Sequence, residues 1–214
     1  MNIQTIDMAG LDVSTSNETD GFGFKTCQEA VSIFHQFADG RKFDNALEWC
    51  CGPGYYGLGI WKTGLVRTVS FNDIAPESKE VMRRTFEDND IDFPFYLSDN
   101  FDDIPKQKFD LIVGNPPHFN FSIPFDDDLK PDHHEDRKMR DLDWEVHKKF
   151  YRQVGEYLID DGSIMLMENW KGSSVETFES MWEENNLQLT KFYSSEDKES
   201  RNYYIEVQKK CAII

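Results

Sequence analysis

The chain has 214 residues, 39% of them hydrophobic and 14% aromatic, which is enough apolar material for one packed domain and too much for a globally disordered chain. Its 40 Asp and Glu residues outnumber 23 Lys and Arg for a net charge of −17, so the surface repels phosphate backbones and disfavours unaided binding of nucleic acid. No apolar run approaches the roughly 20 residues that span a bilayer, no basic patch followed by an apolar stretch opens the chain, and four cysteines without a CxxC spacing point to reduced thiols in a cytoplasmic protein.

Residues 1–21 are polar, lack periodicity and read as a flexible N-terminal arm ahead of a single domain over 22–214. Thr26 to Phe37 carries Ala30, Val31, Ile33, Phe34 and Phe37 at helical spacing. Asn45 to Trp49 reads as a strand, Cys50 to Gly54 as a turn and Tyr55 to Lys62 as a helix. A strand over Leu65 to Phe71 leads to a helix over Pro76 to Glu87, where a proline in the first turn costs no hydrogen bond. Phe93 to Leu97 and Phe109 to Val113 are strands. The acidic, irregular stretch 119–136 reads as a loop over a functional site. One long helix is predicted from Arg137 to Leu158, stopped by Asp160, Asp161 and Gly162. Ser163 to Met167 is a strand, Val175 to Glu184 a helix, and Leu187 to Tyr193 and Tyr203 to Gln208 are strands. Such alternation implies an α/β fold whose mostly parallel sheet has helices on both faces, while the last two strands, with no helix between them, imply one antiparallel strand near the edge. Ligands of such sheets bind beyond the carboxyl ends of the strands.

Three strand ends carry side chains suited to a ligand. The first runs through Glu48 into Cys50-Cys51-Gly52-Pro53-Gly54, where missing Cβ atoms allow close approach and a helix N-terminus follows. Gly52, Gly54 and Gly57 also spell the dinucleotide pattern, but Glu48 would repel a pyrophosphate and suits a cationic ligand instead. The second ends in Asp73-Ile74-Ala75-Pro76, whose carboxylate suits a ribose diol or caps the next helix. The third ends in Asp99-Asn100-Phe101, and Asp99 is either a ligand contact or a solvated turn residue. These features resemble the class I S-adenosylmethionine-dependent methyltransferases, with Cys50 in place of a usual glycine. The resemblance implies a Rossmann-like, seven-stranded sheet. It also implies S-adenosylmethionine as the cofactor, held by Glu48, Cys50, Gly52, Gly54, Asp73, Ile74, Asp99, Asn100 and Asn115.

The fourth strand ends in Gly114-Asn115-Pro116-Pro117-His118-Phe119. Two prolines stiffen that turn and remove amide donors, which leaves the Asn115 side-chain oxygen and the Pro116 carbonyl as acceptors. A pair of fixed acceptors can grip both N–H groups of a planar amine and aim its lone pair at an electrophile. The motif resembles the Asn-Pro-Pro-aromatic turn of amino-methyltransferases, which methylate base amines, glutamine amides and some small molecules. By that resemblance Asn115, Pro116 and His118 are the catalytic residues, and Pro117, His118 and Phe119 bind the acceptor. His118 stands where an aromatic residue stacks on the target, and stacking and general-base roles both stay open for it. The acidic charge favours a protein, peptide or small-molecule acceptor over a bare nucleic acid, with a partner subunit compatible with it. A base amino-methyltransferase and a non-catalytic cofactor-binding partner protein are the alternatives. The cluster Asp126-Asp127-Asp128, Asp132, His133, His134, Glu135 and Asp136 reads as a solvated loop before it reads as a metal site.

Overall fold

The computed structural model describes residues 1–20, 23–120, 138–196 and 201–210. A hairpin of β1 (Ile3–Asp7) and β2 (Asp12–Ser16) precedes α1 (Gly23–Ala38). The alternating run is β3 (Phe43–Trp49), α2 (Tyr55–Lys62), β4 (Val66–Asp73), α3 (Pro76–Asn89), β5 (Phe95–Leu97) and β6 (Phe109–Gly114). There follow α4 (Glu145–Val154), β7 (Leu158–Asn169), α5 (Glu176–Glu184), β8 (Leu187–Ser194) and β9 (Asn202–Lys209). The main sheet has seven strands in the order β5-β4-β3-β6-β7-β9-β8. Its pairings are parallel except those of β9, which runs antiparallel to both β7 and β8 and lies next to the edge. The predicted α/β, Rossmann-like architecture is thus the one observed.

Strand alternation divides the interior into two cores. Ala46, Val69, Leu111, Val113, Met165 and Met167 face α1, α2 and α3. Leu47, Ile112, Ile164 and Leu166 face the aromatic side chains of α4 and α5, Phe150, Tyr151, Phe178 and Trp182. Among the described residues no helix is long and apolar enough to cross a membrane.

Two sequence expectations are corrected. The segment read as a loose arm is an antiparallel hairpin, with Ile6 opposite Val13 across a two-residue turn. Ala9 (φ 54°) and Gly10 (φ 80°) occupy the left-handed region that such a turn requires. Leu11 and Val13 are buried in the core, and Ser14 N–H donates to Thr85 Oγ1 at 2.9 Å, so helix α3 anchors β2. The polar alternation Ser14-Thr15-Ser16 hid this, because those side chains are themselves buried.

The long helix expected over Arg137 to Leu158 is much shorter. Asp143 (φ 52°) and Trp144 (φ 60°) break the backbone, and the Asp141 carboxylate accepts the N–H groups of Val146 (2.8 Å) and His147 (3.0 Å) in the first turn of α4. Helix α4 ends at Val154; Leu158 begins β7, and Asp160, Asp161 and Gly162 lie inside that strand beside a register shift against β6. Most of the predicted loop 119–136, with its His- and Asp-rich cluster, lies outside the described residues.

Thr85→Val removes the acceptor of a buried N–H and should cost about 1–3 kcal/mol. Hydrogen exchange should show Val13 to Ser16 losing protection before the main sheet does; unaltered protection there would contradict the anchoring contact.

Candidate functional site

Parallel pairing sets the site. Trp49 is opposite Asn72 on β4 and Gly114 on β6, and Asp73 is opposite Leu97 on β5. The residues that follow, Cys50, Ser98 and Asn115, therefore emerge with Asp73 along one rim of the sheet. A cavity of about 250 Å³ opens there, lined by Glu48, Cys50, Gly52, Asp73, Ile74, Asp99, Asn100, Asn115, Pro116, Pro117 and His118, among others. The predicted residues are thus brought together, apart from Gly54 and Phe119.

Gly54 lies outside the lining and serves packing: at φ 80°, a Cβ there would stand 2.7 Å from Met82 and 3.1 Å from Phe71. Phe119 is buried, its N–H donates to the Met139 carbonyl, and it also lies outside the lining.

The Gly-rich turn is built around Glu48. Its two carboxylate oxygens accept the N–H groups of Tyr56 (3.1 Å) and Gly57 (2.7 Å) at the start of α2. Gly57 makes this close fit, since a Cβ there would sit 2.7 Å from Glu48 Oε2. Burial pushes the Glu48 carboxyl up to about 8, against those two hydrogen bonds. Cys50 takes φ 54°, the left-handed conformation for which glycine is the unstrained residue. At Gly52 a Cβ would stand 2.7 Å from the Thr19 carbonyl, so the end of the hairpin closes over the turn, and Glu18, Thr19 and Asp20 join the lining. No motif marked those three residues in the sequence.

Asp73 accepts the N–H of Gly52 with one oxygen and that of Ala75 with the other, both at 2.8 Å, which ties the turn to the start of α3. Asp99 is half-exposed and paired with Lys149 Nζ at 2.7 Å. Asn100 donates to Asp99 (3.2 Å) and to the Val146 carbonyl (3.5 Å). Among the described residues, two buried oxygens on the cavity wall, Asn100 Oδ1 and Ser78 Oγ, have no hydrogen-bond partner. Buried polar atoms of this kind are rare and fit a site for a polar ligand with its own donors.

Behind Asn115 lies a string of side chains that sequence motifs did not reveal. His118 Nε2 is 2.7 Å from Asn115 Oδ1, and His118 Nδ1 is 3.2 Å from Glu168 Oε2. Glu168 Oε1 is 3.1 Å from His147 Nε2, and His147 Nδ1 is 2.6 Å from Asp141 Oδ2. The side chains of Asp141, His147 and Glu168 are fully buried. Burial alone would lower His147, but Glu168 and Asp141 outweigh it and lift the imidazole to about 9. Burial would likewise raise Glu168, yet the charge of His147 and the His118 hydrogen bond hold it below the usual carboxylate range.

Comparison with known proteins gives the chain its relations. Residues 16–123, just over half of the chain, match the family model of the methyltransferase small domain. Ribosomal RNA small subunit methyltransferase C of Haemophilus influenzae (strain PittGG) is 35% identical over 79 residues, which is 37% of this chain and 24% of that protein. The chain thus matches about a quarter of the length of the curated relatives. Among solved structures, the Thermus thermophilus 16S rRNA N2 G1207 methyltransferase, in complex with S-adenosylmethionine and guanosine, superposes with a TM-score of 0.62 at 17% identity, over 98% of this chain and 50% of that one. The ribosomal protein L11 methylase of Lactobacillus delbrueckii subsp. bulgaricus gives 0.61 at 17% identity, over 87% and 79%. The ribosomal RNA relatives overturn the preference for a protein or small-molecule acceptor over nucleic acid. That preference came from net charge, which describes the whole surface and says little about a single pocket.

His147 and Glu48 titrate higher in the folded chain than their ordinary values of 6.5 and 4.5. Their stabilising contributions are complete below those ordinary values and are lost as pH rises through about 9 and about 8. The urea midpoint should therefore be lower at about pH 9 than at about pH 6.5, a fall that equilibrium unfolding by circular dichroism will read.

Proposed function

The chain belongs to the methyltransferase small domain family of S-adenosylmethionine-dependent enzymes, and from that premise we propose that it methylates the exocyclic amino nitrogen of an RNA base. One observation carries this reading. The Asn115-Pro116 turn lines the same cavity as the Gly-rich turn and Asp73, so an amino group held by the first faces a ligand held by the others. The ribosomal RNA relatives supply the acceptor class.

When bound, S-adenosylmethionine supplies an electrophilic methyl group on a sulfonium. Asp73 accepts the ribose hydroxyls while its hydrogen bond from Gly52 holds the turn beneath them. Asn100 Oδ1 and Ser78 Oγ, otherwise unpartnered, take the ligand's remaining donors. Exposed Ile74 and the half-strained Cys50 form the apolar and backbone walls of the pocket. Glu48 organises the N-terminus of α2 by accepting the N–H groups of Tyr56 and Gly57 beneath the Gly-rich turn. At the acceptor end, Asn115 Oδ1 and the Pro116 carbonyl accept the two amino N–H groups, which turns the nitrogen lone pair out of conjugation with the base. Pro117 completes the wall beside the base. This is the Asn-Pro-Pro type of amino-methyltransferase chemistry. With a net charge of −17 the chain gains little from phosphate contacts, so recognition rests on the base and its ring face. An RNA acceptor and unpaired thiols at Cys27, Cys50 and Cys51 suit a cytoplasmic site of action.

Radiolabelled methyl should pass from S-adenosylmethionine into RNA and, after digestion, into a single N-methylated nucleoside; label confined to protein or small molecules would refute the reading. Asn115→Ala should lower kcat by about 100-fold or more while cofactor affinity stays within a few-fold. Asp73→Asn should do the reverse, weakening cofactor binding by about 1–3 kcal/mol in calorimetry with a smaller effect on kcat at saturation.

A further inference from the structure

The string from Asp141 to Asn115 fixes its own protons. It has four contacts: Asp141 to His147, His147 to Glu168, Glu168 to His118, and His118 to Asn115. Each places an imidazole nitrogen against an oxygen. Ionised carboxylates accept and cannot donate, and the Asn115 oxygen only accepts. Satisfying all four contacts therefore takes four N–H protons, two on each ring. Both imidazoles are then cations, and charges alternate along the string as Asp141⁻, His147⁺, Glu168⁻ and His118⁺, with no net charge. The surroundings support this count. Asp141 is a charged acceptor for two backbone N–H groups of α4 besides the ring of His147. The His147 ring lies 4.8 Å from that of Phe178 at an interplanar angle of 24°, a stacking that favours a cation. Only the His118 end reaches the cavity; the side chains of Glu168, His147 and Asp141 are sealed from solvent.

We propose that His118 is a positioning residue for Asn115, held as an imidazolium by the buried Glu168–His147–Asp141 triad, and that it is neither a stacking wall nor a general base. The inference rests on the reading that Asn115 grips the acceptor amine. One lone pair of Asn115 Oδ1 accepts from His118, which locks the carboxamide with its oxygen toward the turn; the second lone pair remains for the amino group. A neutral His118 would allow the carboxamide to turn round and present its NH₂, which repels the amine it should grip. Because an imidazolium has no lone pair, the proton released by the methylated nitrogen goes to water and not to His118.

The string also accounts for a histidine where an aromatic residue is usual. A ring that only stacks needs no buried carboxylate behind it. Burying an ion triad costs desolvation that apolar side chains would avoid, so its presence behind one asparagine marks a functional demand.

Two measurements test this. In the intact protein labelled with ¹⁵N-histidine, both nitrogens of His118 and both of His147 should show imidazolium shifts near neutral pH. A non-protonated nitrogen on His118 would overturn the proposal whether or not the acceptor has been identified. His118→Phe keeps a flat aromatic ring and removes the donor; kcat should fall about 10- to 100-fold, with KM for S-adenosylmethionine within about twofold. His118→Phe turnover equal to that of the unaltered enzyme would show that the ring merely stacks. Glu168→Gln, which keeps shape and loses charge, should lower kcat to a similar degree, and its His118 should lose one ring proton in the same spectrum. If the spectra show both imidazoliums while no RNA acceptor is methylated, the string stands and the acceptor assignment fails; the two failures are separable.

Discussion

The pairing of Trp49 with Asn72 on one side and Gly114 on the other is the constraint from which the site follows. It puts Cys50, Asp73 and Asn115 abreast at the rim, although they lie far apart in the chain. Gly114 permits the close approach, since a Cβ there would stand 2.8 Å from the Trp49 carbonyl. Side chains alternate along a strand, so a slip of one residue in β4 or β6 would send Asp73 or Asn115 to the wrong face and exchange the two cores. The buried alternation of Ala46 with Leu47 and of Leu111 with Ile112 is what forbids that slip. Site geometry and core packing are thus one requirement.

Much of this was legible in the sequence for a physical reason: each βα unit carries its own local signals. An apolar strand, a Gly or Pro turn and a 3.6-residue periodicity identify β3, α2, β4, α3 and β6 without reference to the rest of the chain. Helix α2 begins and ends where its pattern does, at Tyr55 and Lys62. Misreadings arose where distant contacts decide. The hairpin β1–β2 depends on Thr85 and Asn89 of α3, which no window around residue 10 contains. The break before α4 depends on Asp141 folding back onto the helix that follows, whereas the apolar periodicity runs on past it. At the site, the Asn-Pro-Pro turn announced itself, but its support did not. Glu168 sits in an apolar strand and His147 on a helix otherwise rich in charge, and only the fold places them end to end with His118.

The acidic composition takes on a different sense once burial is known. Some acids are internal and structural: Glu48 beneath the N-terminus of α2, Asp141 and Glu168 in the proton string, and Glu206 on β9 among Arg41, Ser163 and Thr190. Each is met by backbone N–H groups, an imidazole, a guanidinium or hydroxyls, as buried polar groups require. They organise the interior and have no part in repelling a polyanion. Net charge therefore overstated the case against nucleic acid, and the pocket's own donors and acceptors are the better guide to its ligand.

Strand β9 lies between β7 and β8, yet it is made after both. As the chain leaves the ribosome, β8 has no partner and β7 has one open edge until residues 202–209 appear. A nascent chain halted before that point presents an unpaired strand and an open sheet edge, the kind of surface on which polypeptides aggregate or recruit chaperones. The strand ends that line the cavity all belong to β3, β4, β5 and β6, which are complete by residue 114. Synthesis thus separates the two halves of the sheet in time: the half that holds the ligand can close first, and the half that seals the fold waits for the last strand.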